Sequence, residues 1–294
     1  MYAGDPAILS APAAFPLFWG FEKESGGMIR GAVRHMLRRR RERRAMGPAA
    51  PPSRRGLWSL SGGLGTLGRA ASTVLGERLI TDRGIGRIVR EDGQWDVDGE
   101  RAPVLVLAVP PGRAADLLEP LDGRMAGAAR DIVMAPIVGV HLGFSSRVAE
   151  VPDAFGFLVP RGEGIRTLGV LFPSRMFRDR VPAGGDLLTG FVGGVLDPRA
   201  LELSDADLVE TVLGDLAALV GVERRPDHVH VMRYPAAIPQ LTLGHAERMQ
   251  ELRRGLERLR GLLLAGNWQR GVGIKDAVGS GMDAARAALA ELAG

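Results

Sequence analysis

The 294-residue sequence contains no cysteine, which excludes disulfides, iron–sulfur clusters, thiolate zinc sites and thiol catalysis. Lysine is almost as scarce: Lys23 and Lys275 are the only lysines among 38 basic residues. The positive charge is therefore arginine's, and it persists at any ordinary pH. No run of 18 or more uncharged apolar residues occurs, so a transmembrane helix is excluded on length. Residues 1–16 lack the basic n-region and apolar core of a signal peptide. The expectation is a cytoplasmic protein. There is no GxSxG elbow and no GxxxxGK[ST] phosphate loop, which argues against a serine hydrolase and against nucleotide hydrolysis. The histidines are His35, His141, His228, His230 and His245. His228 and His230 would share one face of a strand, but no acidic residue is spaced to complete a site, so no metal is expected.

Hydrophobic residues make up 46% and charged residues 24%, a balance that supports a packed core rather than a disordered chain. The charge is unevenly placed. Residues 23–55 hold eleven basic residues against two acidic ones, a local charge of +9. Met28, Ile29, Val33, Met36 and Leu37 would line one side of a helix there, ahead of a Pro-rich loop that cannot continue it. A basic amphipathic helix suits an anionic membrane surface, each arginine contributing on the order of 1 kcal/mol. No aromatic residues interleave with the arginines, so nucleic acid is not expected as a partner.

Further along, the pattern predicts a helix at 64–75 and strands near 78–80, 85–90 and 95–97, with Asp92-Gly93 as a hairpin turn. The run VLVLAV at 104–109 reads as a parallel strand buried on both faces. Residues 132–245 are strand-rich: IVGVHLGF, FGFLVP, RTLGVLF, LLTGFVGG and HVHVMR are separated by loops. One helix interrupts them, with Ser204 as N-cap, Asp207 at N3, Leu208, Val212, Leu216 and Leu219 on its apolar side, and Gly221 as its stop. A helix bearing Met249, Leu252, Leu256 and Leu259 follows, then the strand GLLLA, a glycine-rich turn and an alanine-rich final helix. The turn, residues 266–274, lacks GxGxxG spacing. Its glycines and the unpaired amides of the helix start would admit a flat or anionic ligand.

Read end to end, the chain resembles the protoporphyrinogen oxidase family, within the larger group of flavin-containing amine oxidase folds. The segments that carry the resemblance are YAGDPAILS, AAFPLFWGFEKESGGMIRG, LWSLSGGLGTL, VLVLAVPP, FGFLVP, LGVLF, PSRMFRDRVP, LLTGFVGG, MRYPAAIPQLTLGH and LAGNWQRGVGIKDAVGSG. Their order is the family's. Members open with a strand, a GxGxxG turn and a helix for the ADP part of FAD, whereas Met1 here aligns with the interior of that pattern. The chain thus resembles the C-terminal three-fifths of such an enzyme, and it is expected to hold FAD poorly by itself.

The resemblance implies FAD as cofactor, with Ile85 on its adenine side and Asn267, Val272, Gly273 and Ile274 in the C-terminal flavin-contacting segment, where the helix start would stabilise a reduced, anionic ring. It implies Leu158, Leu171 and Phe191 as lining of the substrate cavity, and it names no catalytic residue. The implied reaction is oxidation of protoporphyrinogen IX to protoporphyrin IX with O2 as acceptor, in heme biosynthesis. Coproporphyrinogen III, another amine-oxidase-type substrate, or a non-catalytic membrane- or partner-binding role are the alternatives. The fold class expected is α+β: part of an FAD-binding α/β domain interleaved with a mixed-sheet substrate-binding domain and a helical membrane-associating region. The boundaries would be 1–56 for the membrane-associating region, 57–118 and 246–294 for the flavin domain, and 119–245 for the substrate domain. The expected place is cytoplasmic, peripheral on the inner face of the cell membrane, and a homodimer is left open.

Overall fold

The computed structural model describes residues 3–45, 47 and 57–293. The Pro-rich loop expected near 48–56, with Arg54 and Arg55, lies outside the described residues. In chain order the helices are α1 (Ala11–Ala14), α2 (Pro16–Ser25), α3 (Met28–Ala45), α4 (Gly65–Leu75), α5 (Pro111–Leu118), α6 (Gly123–Arg130), α7 (Pro173–Met176), α8 (Asp205–Val220), α9 (His245–Arg258) and α10 (Ile274–Ala293). The strands are β1 (Ile88–Glu91), β2 (Gln94–Val97), β3 (Glu100–Ala102), β4 (Leu105–Leu107), β5 (Met134–Phe144), β6 (Gly156–Leu158), β7 (Gly169–Leu171), β8 (Asp186–Gly193), β9 (His228–Pro239) and β10 (Leu262–Leu264).

The chain forms two compact units, each built from separated segments. The first comprises Met1–Asp5, Leu57–Ile85 and Met134–Pro239. It is dominated by a five-stranded sheet of order β6-β7-β8-β5-β9 with every pairing antiparallel. Alternation of side chains puts Val138, Val140, Leu142, Leu188 and Val192 on one face, where Leu208, Val212 and Leu216 of α8 bury them. The sequence signals for α8 hold: Ser204 Oγ accepts the Asp207 N–H at 3.1 Å, and Gly221 closes the helix at φ 73°. Leu219, expected on the buried side, is exposed. Gly190 is what lets α8 approach, since a Cβ there would stand 2.5 Å from Val212 Cγ1. Gly190→Ala is therefore expected to cost about 1–3 kcal/mol by overpacking, and adding Val212→Ala should recover part of it. Urea melts of the two variants check this; an unchanged midpoint for Gly190→Ala would refute it.

One carboxylate lies inside this unit. Asp186 accepts the Val148 N–H at 2.7 Å, the Ser174 hydroxyl at 3.0 Å and Arg175 Nη2 at 2.8 Å. Both side chains of the Asp186–Arg175 pair are nearly fully buried, so the charges satisfy each other rather than water.

Strand β9 runs six residues past the predicted HVHVMR segment and contains Pro235. It can do so because it is an edge strand, and because its pairing with β5 shifts register between Ala135 and Ile137, next to that proline.

The second unit comprises Pro6–Gly56, Gly86–Val133 and Gln240–Gly294. These cuts differ from the expected ones, placing 86–133 with the C-terminal segment and 57–85 with the five-stranded sheet. Asp92-Gly93 turns β1 into β2 as predicted, with φ of 51° and 80°. A second turn, Asp98-Gly99 at 48° and 96°, adds β3, which the charged sequence Glu-Arg-Ala did not reveal. Residues 76–80 hold a 3-10 turn and irregular chain instead of the strand expected near 78–80, and β1 begins only at Ile88. VLVLAV does form a parallel strand: β4 pairs with β10. The expectation of burial on both faces fails for Val106, which is 39% exposed, because this sheet has only two strands among the described residues. α9 packs on α6 at Gly255, where a Cβ would meet Met125 at 2.0 Å. α2 and α3 form a hairpin that closes on Gly31, whose Cβ would meet Phe21 Cβ at 2.2 Å.

Candidate functional site

The face of the five-stranded sheet opposite α8 is where the expected substrate residues fall. Register sets them in rows, because paired residues of antiparallel strands point the same way. One row runs Leu158, Gly169, Phe191, Gly139, Met232. The next runs Gly156, Leu171, Thr189, His141, His230. Leu158, Leu171 and Phe191 are therefore brought to one face, and Leu158 is 65% exposed on it. Phe191 is flanked on both neighbouring strands by glycine. The result is an apolar strip with no Cβ on either side of the half-buried ring and with Leu158, Leu171 and Met232 exposed around it, a surface suited to a planar apolar ligand.

Sequence reasoning missed His141, Thr189 and His230. His141 Nδ1 lies 3.0 Å from Thr189 Oγ1, and its ring stacks on His230 with centroids 5.9 Å apart. Burial, then the neighbouring His230, hold its pKa below the ordinary imidazole value. The ring leans along its strand: the point a Gly139 Cβ would occupy is 3.4 Å from His141 Nε2 and 4.0 Å from Phe191 Cε1. The sequence signals are the spacing in HVHVMR, which puts His230 on one face with His228, and, for His141, the alternation in VGVHLGF. That alternation shows which face of its own strand His141 takes, and not what lies on the strands beside it.

In the second unit, the glycine-rich turn brings Asn267, Val272, Gly273 and Ile274 together between β10 and α10. Gly266 sits at φ 152° and donates its N–H to Ser280 Oγ at 3.0 Å. Asn267 Nδ2 donates to the Val272 carbonyl at 3.3 Å, folding the turn on itself. Trp268 is buried and anchors the turn through Nε1 to the Val109 carbonyl at 3.1 Å. Gly273 N–H donates to Asp276 Oδ2 at 3.2 Å, which is the N3-to-N-cap half of a capping box. A Cβ on Gly271 would strike the same carboxylate at 2.6 Å. The helix start is thus not the bare anion site expected from sequence: Asp276 already offsets its positive end. What remains is a backbone-lined turn with little net charge. It fits the flat, uncharged, hydrogen-bonding edge of a flavin ring better than a phosphate. Ile85, expected on a strand, lies in irregular chain ahead of β1 and is half-buried.

His245 packs inside the second unit, its Nε2 3.0 Å from the Gln269 carbonyl. Burial pushes its pKa down. Among the described residues no group of three or more histidine, aspartate and glutamate side chains could hold a metal ion.

A profile for flavin containing amine oxidoreductase matches residues 1–289. The chain is 29% identical over 296 residues to protoporphyrinogen oxidase 1, chloroplastic, of Arabidopsis thaliana, covering 93% of this chain and 55% of that protein. It is 29% identical over 310 residues to protoporphyrinogen oxidase of Macaca fascicularis, covering 98% and 63%. A solved structure, a proposed protoporphyrinogen oxidase from Exiguobacterium sp. 255-15, superposes with a TM-score of 0.78 at 25% identity, over 98% of this chain and 61% of that one. Cyclohexylamine oxidase from Brevibacterium oxydans IH-35A shares the fold, with a TM-score of 0.62 at 17% identity over 79% of this chain and 53% of that one. The chain spans rather more than half the length of the curated relatives it matches. With this match over residues 1–289 and its mixed α/β fold, the chain belongs to the flavin containing amine oxidoreductases, a family of FAD-dependent oxidoreductases.

Proposed function

We propose that this chain supplies the substrate sheet and the C-terminal flavin segment of an oxidase that converts protoporphyrinogen IX to protoporphyrin IX with O2 as acceptor. The observation that carries the reading is the row Leu158, Gly169, Phe191, Gly139, Met232. A tetrapyrrole is a large planar apolar body, and this row offers it exposed Leu158 and Met232 at its ends with half-buried Phe191 between two glycines. FAD, when bound, accepts hydride from the substrate. Asn267, Val272, Gly273 and Ile274 would hold its ring edge through the turn backbone, and Ile85 is the residue that the resemblance implies for its adenine side. No side chain need exchange a proton with the reacting carbon. The sheet face binds and orients the substrate and keeps water away from it.

The test is titration of the 294-residue chain with protoporphyrin IX, the product, followed by porphyrin fluorescence. Saturable binding in the micromolar range is expected. Saturation by an alkylamine with none by the porphyrin would instead favour an amine substrate. Coproporphyrin III in the same titration separates the two tetrapyrroles.

A second observation supports a membrane-surface partner. Along α3, Met28, Ile29, Val33, Met36 and Leu37 are all exposed beside Arg30, Arg34 and the run Arg38 to Arg41. On α2, Leu17, Phe18 and Trp19 are exposed as well. Exposed apolar and aromatic side chains next to clustered guanidinium groups suit shallow insertion among anionic headgroups. The chain should float with vesicles containing phosphatidylserine and release them as salt rises. Equal recovery with neutral vesicles would overturn this.

A further inference from the structure

A planar ligand on the Phe191 row still needs something to receive its acidic side arms. The pairing register gives the strand positions that share a face with Phe191, and their titratable members are His141, His228, His230 and Tyr234. None is lysine, arginine, aspartate or glutamate. The three imidazoles are therefore the only groups on these face positions that can carry positive charge. A carboxylate brought onto an apolar surface without a cation or a donor would pay a large desolvation cost.

We propose that His141 and His230 form a carboxylate-recognition pair, receiving an acidic side arm of the planar ligand that lies along the Phe191 row. The inference rests on the platform reading above. Three features of the geometry carry it. Thr189 Oγ1, 3.0 Å from His141 Nδ1, fixes one nitrogen and the orientation of the ring. The other nitrogen, Nε2, lies beside Gly139 of the Phe191 row, 3.4 Å from where a Cβ on that glycine would stand, with no hydrogen-bond partner among the described residues. His230, exposed and stacked on His141, offers a second donor at the same edge. Burial and the neighbouring His230 hold His141 below the ordinary imidazole pKa, which favours its neutral form until an anion arrives. The carboxylate then favours the imidazolium, so binding takes up a proton. No other charged residue among the strand-face positions opposes or replaces this. His228, diagonal to the pair on β9, is the one further titratable imidazole.

The experiment compares protoporphyrin IX with its dimethyl ester, which keeps the macrocycle and removes both carboxylates. Both are titrated into the full chain at neutral pH in two buffers of different ionisation enthalpy. The diacid should bind about tenfold more tightly than the diester, equivalent to about 1.4 kcal/mol, and only the diacid should take up a proton. His141→Phe and His230→Phe, which keep a flat ring, should lower diacid affinity to that of the diester, abolish the proton uptake and leave diester binding unchanged. Should His141→Phe melt early, the exposed His230→Phe decides alone. Equal binding of the two ligands by the parent chain, or variants that keep the preference, would overturn the pair while leaving the platform standing. Failure of both ligands to bind would remove the platform reading and this inference with it.

Discussion

Asp186→Ala is expected to lower the unfolding free energy by about 3–5 kcal/mol, because it takes the buried carboxylate from the Arg175 guanidinium and leaves only exposed Asp153, 3.8 Å away. The carboxylate is nearly fully buried, and it takes hydrogen bonds from the Val148 N–H, the Ser174 hydroxyl and Arg175. Arg175 also donates Nη2 to the Val148 and Val151 carbonyls, so it holds the 148–151 segment against the end of β8. Its Nε already lacks a partner in the buried interior, which leaves no spare capacity to absorb the loss. Replacing both members by apolar residues, Asp186→Leu with Arg175→Met, should cost much less than either removal alone, since no charge is left behind. Guanidinium melts of the three variants check this. A loss under about 1 kcal/mol for Asp186→Ala, the range of an ordinary surface pair, would show that water reaches the site.

The second large effect concerns binding rather than stability. Leu158→Asp combined with Leu171→Asp should weaken protoporphyrin IX by more than about tenfold, since two carboxylates would have to be desolvated beneath a ligand that is itself an acid. The site makes a clean test because Leu158 is 65% exposed and Leu171 is 37% exposed. The melting midpoint should barely move. Phe191 is a poorer choice, being half-buried and packed against the cluster of Ala135, Ile137 and Leu168. Porphyrin affinity unchanged in the double variant, with a normal melt, would put the substrate elsewhere.

Local signals were legible wherever a few neighbouring residues decide the backbone. Ser204 and Asp207 opened a helix, Gly221 closed it, and Asp92-Gly93 made a hairpin. Each works through short-range hydrogen bonds and φ preferences that need no distant partner. The misses had non-local causes. β3 has too little apolar content to announce itself and forms because β2 offers it an edge. Val106 sits in a strand with an apolar run typical of a buried parallel sheet, yet strand count decides burial, and two strands leave its face open. The helix start at Ile274 looked like an anion site until Asp276 was found returning to Gly273.

By itself, then, the sequence determined most of the helices and of the longer strands, the order of the family's segments, the absence of cysteine chemistry and the arginine-rich character of α3. Leu158, Leu171 and Phe191 came from resemblance, with nothing in their spacing to join them. Only the tertiary structure decided that they share a face, and that His141, Thr189 and His230 share it with them. The physical reason is the pairing register. Residues 158, 169, 191, 139 and 232 become neighbours through four antiparallel ladders, and a shift of one residue in any of them would turn that strand's side chains to the opposite face. That register depends on packing Val138, Val140, Leu188 and Val192 against α8, a long-range outcome that no local stretch of this chain encodes.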